Sequence, residues 1–184
     1  MPRLSPTSLA TALATLASKR LYWGTISLFA FAMLGVALYY QYALGEEPCQ
    51  VCIQARLWVV AIALAALLIW IYPSPKWSQF PGHLLLITSS VGLGERAWTL
   101  YLLENGRGDG SCEFQLGMPD WFAVDRWFPD LFEVRNLCSY TPDILWGISM
   151  AEGLLCVAAG LLCLSMLTLL GGFIAPEEST SSTA

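Results

Sequence analysis

Long apolar stretches alternate with short polar links along this chain. Leu21–Leu44 runs for 24 residues without a charge. Leu57–Tyr72 is uncharged for 16 residues, about 24 Å as a helix against a hydrocarbon core of about 30 Å, so its helix must begin earlier to cross a membrane. Extending it back by about a turn sets Arg56 inside the membrane boundary and Cys49 and Cys52 at its rim. His83–Leu103 is interrupted only by Glu95-Arg96, and Ile144–Ala175 only by Glu152. Each stretch is long enough for a transmembrane helix. The pattern predicts an all-α membrane protein, a four-transmembrane-helix bundle over residues 21–175, with links at about 45–49 and 104–143. The first stretch exceeds a signal-peptide core, and the small residues Ala10–Ala17 precede it instead of following it, so it reads as a retained helix. The polar tail 176–184 and most of Met1–Pro6 read as disordered.

Composition agrees. The 184 residues suit one domain; 56% are hydrophobic and 12% charged, against about 25% charged in a typical soluble domain. A net charge of −5 speaks against nucleic acid as a partner. Lys19 and Arg20 precede the first stretch and Lys76 lies between the second and third, whereas the first link carries Glu46 and Glu47 and no base. The positive-inside rule then predicts cytoplasmic termini, with segment 1–20 and the tail inside and the first and long links outside. Arg107, Arg126 and Arg135 in the long link reduce the margin. No internal repeat is visible.

The six cysteines divide by place. Cys49 and Cys52 lie at an outer helix start, Cys112 and Cys138 in the long outer link, and Cys156 and Cys163 within the fourth stretch. Four cysteines in an oxidising compartment make two disulfides, with three possible connectivities. Spacing alone fits structural disulfides on an ordinary four-span protein as well as it fits redox pairs. A metal centre is disfavoured: there is a single CxxC, and the only histidine, His83, is near the opposite face. The chemistry favours redox. A CxxC at a helix N-terminus has its thiolate stabilised by free backbone N–H groups and the helix dipole. Arg56 is four residues beyond Cys52, on the same helix face. An interfacial arginine often merely snorkels, but an ionisable group inside a span is a functional candidate. Cys156 and Cys163, seven apart, read as packing residues.

Between Cys112 and Cys138, the aromatics Trp121, Phe122, Trp127, Phe128 and Phe132 alternate with acids and with Pro119 and Pro129. Trp favours the membrane interface, so a short amphipathic helix lying flat on the membrane fits the pattern. A small folded cap with its own core is the other reading.

The motif Pro48-Cys49-Gln50-Val51-Cys52-Ile53 with Arg56, followed by Cys112-Glu113-Phe114, Pro119-Asp120-Trp121, Asp125-Arg126-Trp127, Pro129, Phe132 and Cys138, resembles the DsbB family over roughly Leu21–Ile174. These are bacterial inner-membrane proteins that reoxidise DsbA, the periplasmic dithiol oxidase, as part of the relay that keeps the periplasm oxidising. The resemblance implies a thiol:quinone oxidoreductase with disulfides Cys49–Cys52 and Cys112–Cys138. Cys112 would form the mixed disulfide with a DsbA-like partner, and Cys49 would link transiently to Cys138. Cys52 would face ubiquinone or menaquinone with Arg56 beside it, and Arg96, Trp98 and Tyr101 best match the family's quinone residues in the third span. A quinone is lipid-soluble and takes two electrons, so its site belongs at a bundle rim.

The sequence departs from the family in two places. Ala151-Glu152-Gly153 stands where members often have Pro-x-Trp, and a histidine common near Tyr101 is missing. A vitamin K epoxide reductase-like enzyme is the nearest alternative, but there the loop cysteines precede the CxxC. A non-enzymatic tetraspan protein with structural disulfides is the other. Helical rise sets Arg96 about 10 Å and Glu152 about 12 Å below the outer helix ends, so the two are expected to pair within the bilayer.

Overall fold

The computed structural model describes residues 12, 15, 16, 19–72, 76–107, 115–138, 143–145 and 147–174. Cys112, the tail 176–184 and nearly all of the segment before Lys19 lie outside the described residues. Four long helices make up most of the rest: α1 (Arg20–Ala43), α2 (Gln50–Ile71), α3 (Lys76–Glu104) and, after the long link, α6 (Met150–Ile174). Among the described residues α1, α2 and the segment Met150–Phe173 of α6 are long and apolar enough to cross a membrane. The protein is thus a helical, multi-pass membrane protein. α3 is the longest helix at 29 residues but carries Pro81, Glu95 and Arg96.

Each boundary has a local cause. α1 ends at Gly45, whose φ of 74° lets the Glu46 N–H reach back to the Tyr40 carbonyl at 3.0 Å. α2 begins seven residues before the uncharged run, because Cys49 caps it: the Cys49 Sγ accepts from the Cys52 N–H at 3.2 Å. At its other end Arg20 donates to the Trp70 carbonyl from Nε and Nη2, at 3.0 and 2.9 Å, satisfying an orphan helix acceptor.

α2 packs between α1 and α3, and α3 packs on α6. The main core holds Trp23, Ile62, Leu86 and Leu93, with Ala63 and Ala66 fully buried where helices approach closely. Buried hydroxyls are returned to carbonyls, Ser27 to Ala63 at 3.1 Å and Ser90 to Leu86 at 2.7 Å. Gly92 is needed for the approach of α2 to α3, since a methyl group there would run into the Trp58 ring. Gly92→Ala is expected to cost about 1–3 kcal/mol, the usual penalty for overpacking, read as a lowered unfolding midpoint in detergent. An unchanged midpoint would show that Trp58 can swing away.

Three expectations are corrected. The fourth apolar helix does not begin at Ile144: Asp143–Leu145 (β1) and Ile148–Ser149 (β2) form a small antiparallel hairpin, and α6 starts at Met150. A reciprocal cap sets that start. The Glu152 carboxylate accepts from the Ser149 N–H at 3.2 Å, and the Ser149 hydroxyl accepts from the Glu152 N–H at 3.3 Å. Ser149→Ala is expected to cost about 1 kcal/mol of stability; a thermal melt matching the parent's would refute the cap. Second, Glu152 therefore lies in the first helical turn and does not pair with Arg96, which pairs with Glu95 at 2.6 Å. Third, among the described residues of the long link, short elements stand in place of one amphipathic helix. They are a 3-10 turn (Asp120–Phe122), α4 (Val124–Trp127) and α5 (Pro129–Phe132). Pro129 has no N–H and drives Phe128 out of the helical region, to φ −135° and ψ 67°, so the two short helices cannot fuse.

Candidate active site

The long link folds back over the start of α2. Leu116, Val124 and Phe132 close over fully buried Ile53, while Trp121, Trp127 and Phe128 stay exposed. Gln50 and Gln54 donate to the carbonyls of Gln115 and Leu116 at 2.7 and 3.0 Å. The link thus carries a small core of its own, seated on α2.

Its far end forms a strap. The N–H groups of Arg135 and Asn136 both donate to the Pro48 carbonyl, at 3.0 and 3.2 Å, and Asn136 pairs with Cys49 in a parallel bridge. Cys138 is thereby brought into one buried cluster with Cys49, Val51, Leu100 and Ala151, against which Cys52 and Tyr101 pack. Cys49 and Cys52 are joined in a disulfide. Cys138 is also disulfide-bonded, and its sulfur-bearing side chain is buried. Cys49 is almost fully buried, whereas Cys52 is half-buried.

Beside Cys52 a cavity of about 320 Å3 opens between α1 and α6, with α2 as its back wall. Toward the other end of the bundle the Tyr22 hydroxyl of α1 lies 3.4 Å from the Thr168 hydroxyl of α6. Cys52, Arg56 and Leu100 line the cavity together with apolar residues of α1 and α6, and Tyr40, Glu46 and Glu47 stand on its wall. Arg56 is held by three neutral oxygens from two segments, α1 and the long link: Gln41 Oε1 at 2.6 Å, the Ala37 carbonyl at 3.3 Å and the Leu131 carbonyl at 3.2 Å. Among the described residues no carboxylate lies within ion-pair distance of it. In direct contact its positive charge is met by dipoles, with Glu46 and Glu47 farther off on the cavity wall.

The remaining expected site residues are spread out. Tyr101 packs against the cysteine cluster, and Trp98, largely exposed, stacks on it at 5.7 Å between ring centroids. Arg96 faces a different recess with Glu95 and Gln54 and does not line the Cys52 cavity. Cys156 and Cys163 are free and exposed on the outside of α6, so they do not pack within the bundle as expected. Sequence reasoning missed Gln41, buried at 8% exposure and donating in turn to the Asp130 carbonyl at 3.3 Å. The available signal was an amide near the end of an otherwise apolar run.

Known proteins share this arrangement of sequence. The model of the family described as disulfide bond formation protein DsbB matches residues 19–168. Disulfide bond formation protein B 2 of Pseudomonas aeruginosa (strain PAO1) is 32% identical over 134 residues, covering 72% of this chain and 79% of that protein. Disulfide bond formation protein B of Shewanella sp. (strain MR-4) is 30% identical over 173 residues, 94% of this chain and 96% of its own length. That of Shewanella denitrificans is 30% identical over 149 residues, 80% and 85% of the two chains. With a cysteine-capped helix, a strapped second cysteine and a family match over most of its length, this chain belongs to the DsbB family of disulfide bond formation proteins.

Proposed function

We propose that the protein is a thiol:quinone oxidoreductase of the bacterial inner membrane that reoxidises a DsbA-like dithiol oxidase. The observation that carries this reading is the strap, which holds Cys138 in the same buried cluster as the Cys49–Cys52 disulfide. A purely structural pair of disulfides would need no such approach.

The steps follow thiol–disulfide exchange. A partner thiolate attacks Cys112 of a Cys112–Cys138 disulfide, forming a mixed disulfide and releasing Cys138 as thiolate. The partner's second thiol resolves it, leaving oxidised partner and two reduced cysteines. Cys138 then attacks Cys49, releasing Cys52 as thiolate, and Cys112 resolves the Cys49–Cys138 bond. Two electrons and two protons thus pass from the partner's dithiol to Cys49 and Cys52.

Ubiquinone or menaquinone in the cavity beside Cys52 would accept both electrons and both protons and restore the Cys49–Cys52 disulfide. The residues present fit such a group: the walls are mostly apolar, the space opens between two apolar helices, and one cation and one cysteine face it. Arg56, lining the same cavity as Cys52, would favour a thiolate there and negative charge on a group bound beside it. Tyr101, packed on the cysteine cluster, supports the wall, and Trp98 stacks on Tyr101.

On this reading α3 is a fourth span, both termini are cytoplasmic, and residues 45–49 and 104–143 face the periplasm. Exposed Trp121, Trp127 and Phe128 then lie at the outer membrane–water interface, where aromatic rings are favoured. Mixing purified protein with reduced DsbA and a short-chain quinone, while following quinone absorbance, tests the function. Absence of quinone-dependent thiol oxidation would leave a structural role. Cys156→Ala and Cys163→Ala are expected to leave the rate unchanged, since both sulfurs lie outside the bundle; a severe loss would draw them into the relay.

A further inference from the structure

We infer that the recess between α2, α3 and the long link binds a glycerophospholipid with a zwitterionic, primary-amine headgroup of the phosphoethanolamine type. The recess encloses about 420 Å3 and shares no lining residue with the cavity at Cys52. Leu57, Trp58, Met118 and Phe122 give it apolar walls, and its polar edge is Gln54, Glu95 and Arg96.

The polar edge carries an incomplete set of bonds. Arg96 donates from Nε and Nη2 to the two Glu95 oxygens at 2.6 and 2.7 Å, and from Nη1 to Gln54 Oε1 at 2.9 Å. A guanidinium has five N–H donors, so two remain. The Arg96 and Glu95 side chains are 33% and 56% exposed on the outside of a membrane bundle, where an ion pair facing hydrocarbon is costly. Height resolves the conflict. Gln54 lies four residues beyond Gln50, about 6 Å from the start of α2, at the bundle end that carries the cysteines. Arg96 lies eight residues before the end of α3, about 12 Å along the helix, so on the proposed orientation the pair sits at the inner edge of the outer-leaflet headgroup layer, with apolar wall continuing below along Leu57 and Trp58.

The charge pattern selects the headgroup. Phosphate oxygens accept the two remaining Arg96 donors, and a primary ammonium donates to Glu95. A phosphatidylglycerol headgroup brings the same phosphate but a neutral glycerol, so Glu95 meets uncharged hydroxyls in place of an ammonium. A trimethylammonium has no N–H to donate. Trp58 is braced against Gly92, which keeps the apolar wall rigid beneath the headgroup.

Native mass spectrometry of the full-length protein in detergent, with equimolar dioleoyl phosphatidylethanolamine, phosphatidylcholine and phosphatidylglycerol, provides the test. The parent is expected to retain the ethanolamine lipid about tenfold over the other two, the scale of one charge-assisted hydrogen bond. Glu95→Gln is expected to shift the preference to phosphatidylglycerol, and Arg96→Gln to lose retention of all three. Equal retention of the three headgroups by the parent overturns the inference, and so does a parent preference for phosphatidylglycerol. Displacement of the retained lipid by a short-chain quinone would assign the recess to quinone instead, and would also overturn it. The headgroup comparison uses the unaltered chain and does not depend on either variant folding.

Discussion

Cys49→Ser and Cys52→Ser are expected to abolish quinone reduction, with turnover falling to the uncatalysed background. The pair is the electron exit in the proposed relay, and serine cannot form a disulfide. The two variants should still differ. In Cys52→Ser the free Cys49 thiolate can attack Cys138 of the Cys112–Cys138 disulfide, releasing Cys112 as thiolate, and should accumulate a Cys49–Cys138 link, whereas Cys49→Ser cannot form it. Cys112→Ser and Cys138→Ser are expected to abolish oxidation of the partner, and in a variant lacking only Cys138 the free Cys112 thiolate should attack the disulfide of oxidised DsbA and trap a mixed disulfide. Non-reducing gels with thiol alkylation read all of these species. Full partner turnover by any of the four variants would exclude the relay.

Arg56→Ala is expected to lower quinone-dependent turnover by about tenfold to a hundredfold, or about 1.4–2.7 kcal/mol of barrier. Binding of DsbA should change less, because the cation faces the cavity. The substitution also unties α1 and the long link from α2, since Gln41 and the carbonyls of Ala37 and Leu131 lose their donor. Stability is therefore measured alongside, and Arg56→Lys separates the two effects: it keeps the charge but cannot reach three acceptors from a planar fork. An intermediate quinone defect in Arg56→Lys with reduced stability in both variants is the expected pattern. Unchanged quinone affinity and turnover in Arg56→Ala would remove Arg56 from the site.

The apolar runs announced the long helices because burial in lipid demands uninterrupted apolar residues, and a CxxC in front of such a run is legible as a cap. Arg56 was visible for the same reason, as a charge where the pattern forbids one. The start of α6 was not, although Ser149-Met150-Ala151-Glu152 carries the residues of a reciprocal cap. The apolar residues Ile144, Leu145 and Ile148 outweighed it, and their hairpin depends on Gly147 at φ 78°. That misplaced start moved Glu152 too deep and created an ion pair with Arg96 that the fold does not make. The approach of Cys138 to Cys49 was legible only through family resemblance. It rests on two backbone hydrogen bonds to Pro48 from residues nearly 90 positions away, and backbone pairing between distant loops leaves no periodicity to read.

The same strap sets a limit on its own strength. Pro48 offers a carbonyl but no N–H, so the pairing of 135–136 with it cannot extend into a ladder on that side. Two backbone hydrogen bonds, each of net worth about 1 kcal/mol, contribute only about 2 kcal/mol to the attachment, beside the burial of Cys138. In the proposed relay Cys138 exchanges one sulfur partner for another in every cycle, which calls for a tether of that kind. Within that relay, proline at position 48 would make the strap a latch, presenting Cys138 to Cys49 without a ladder that resists its release.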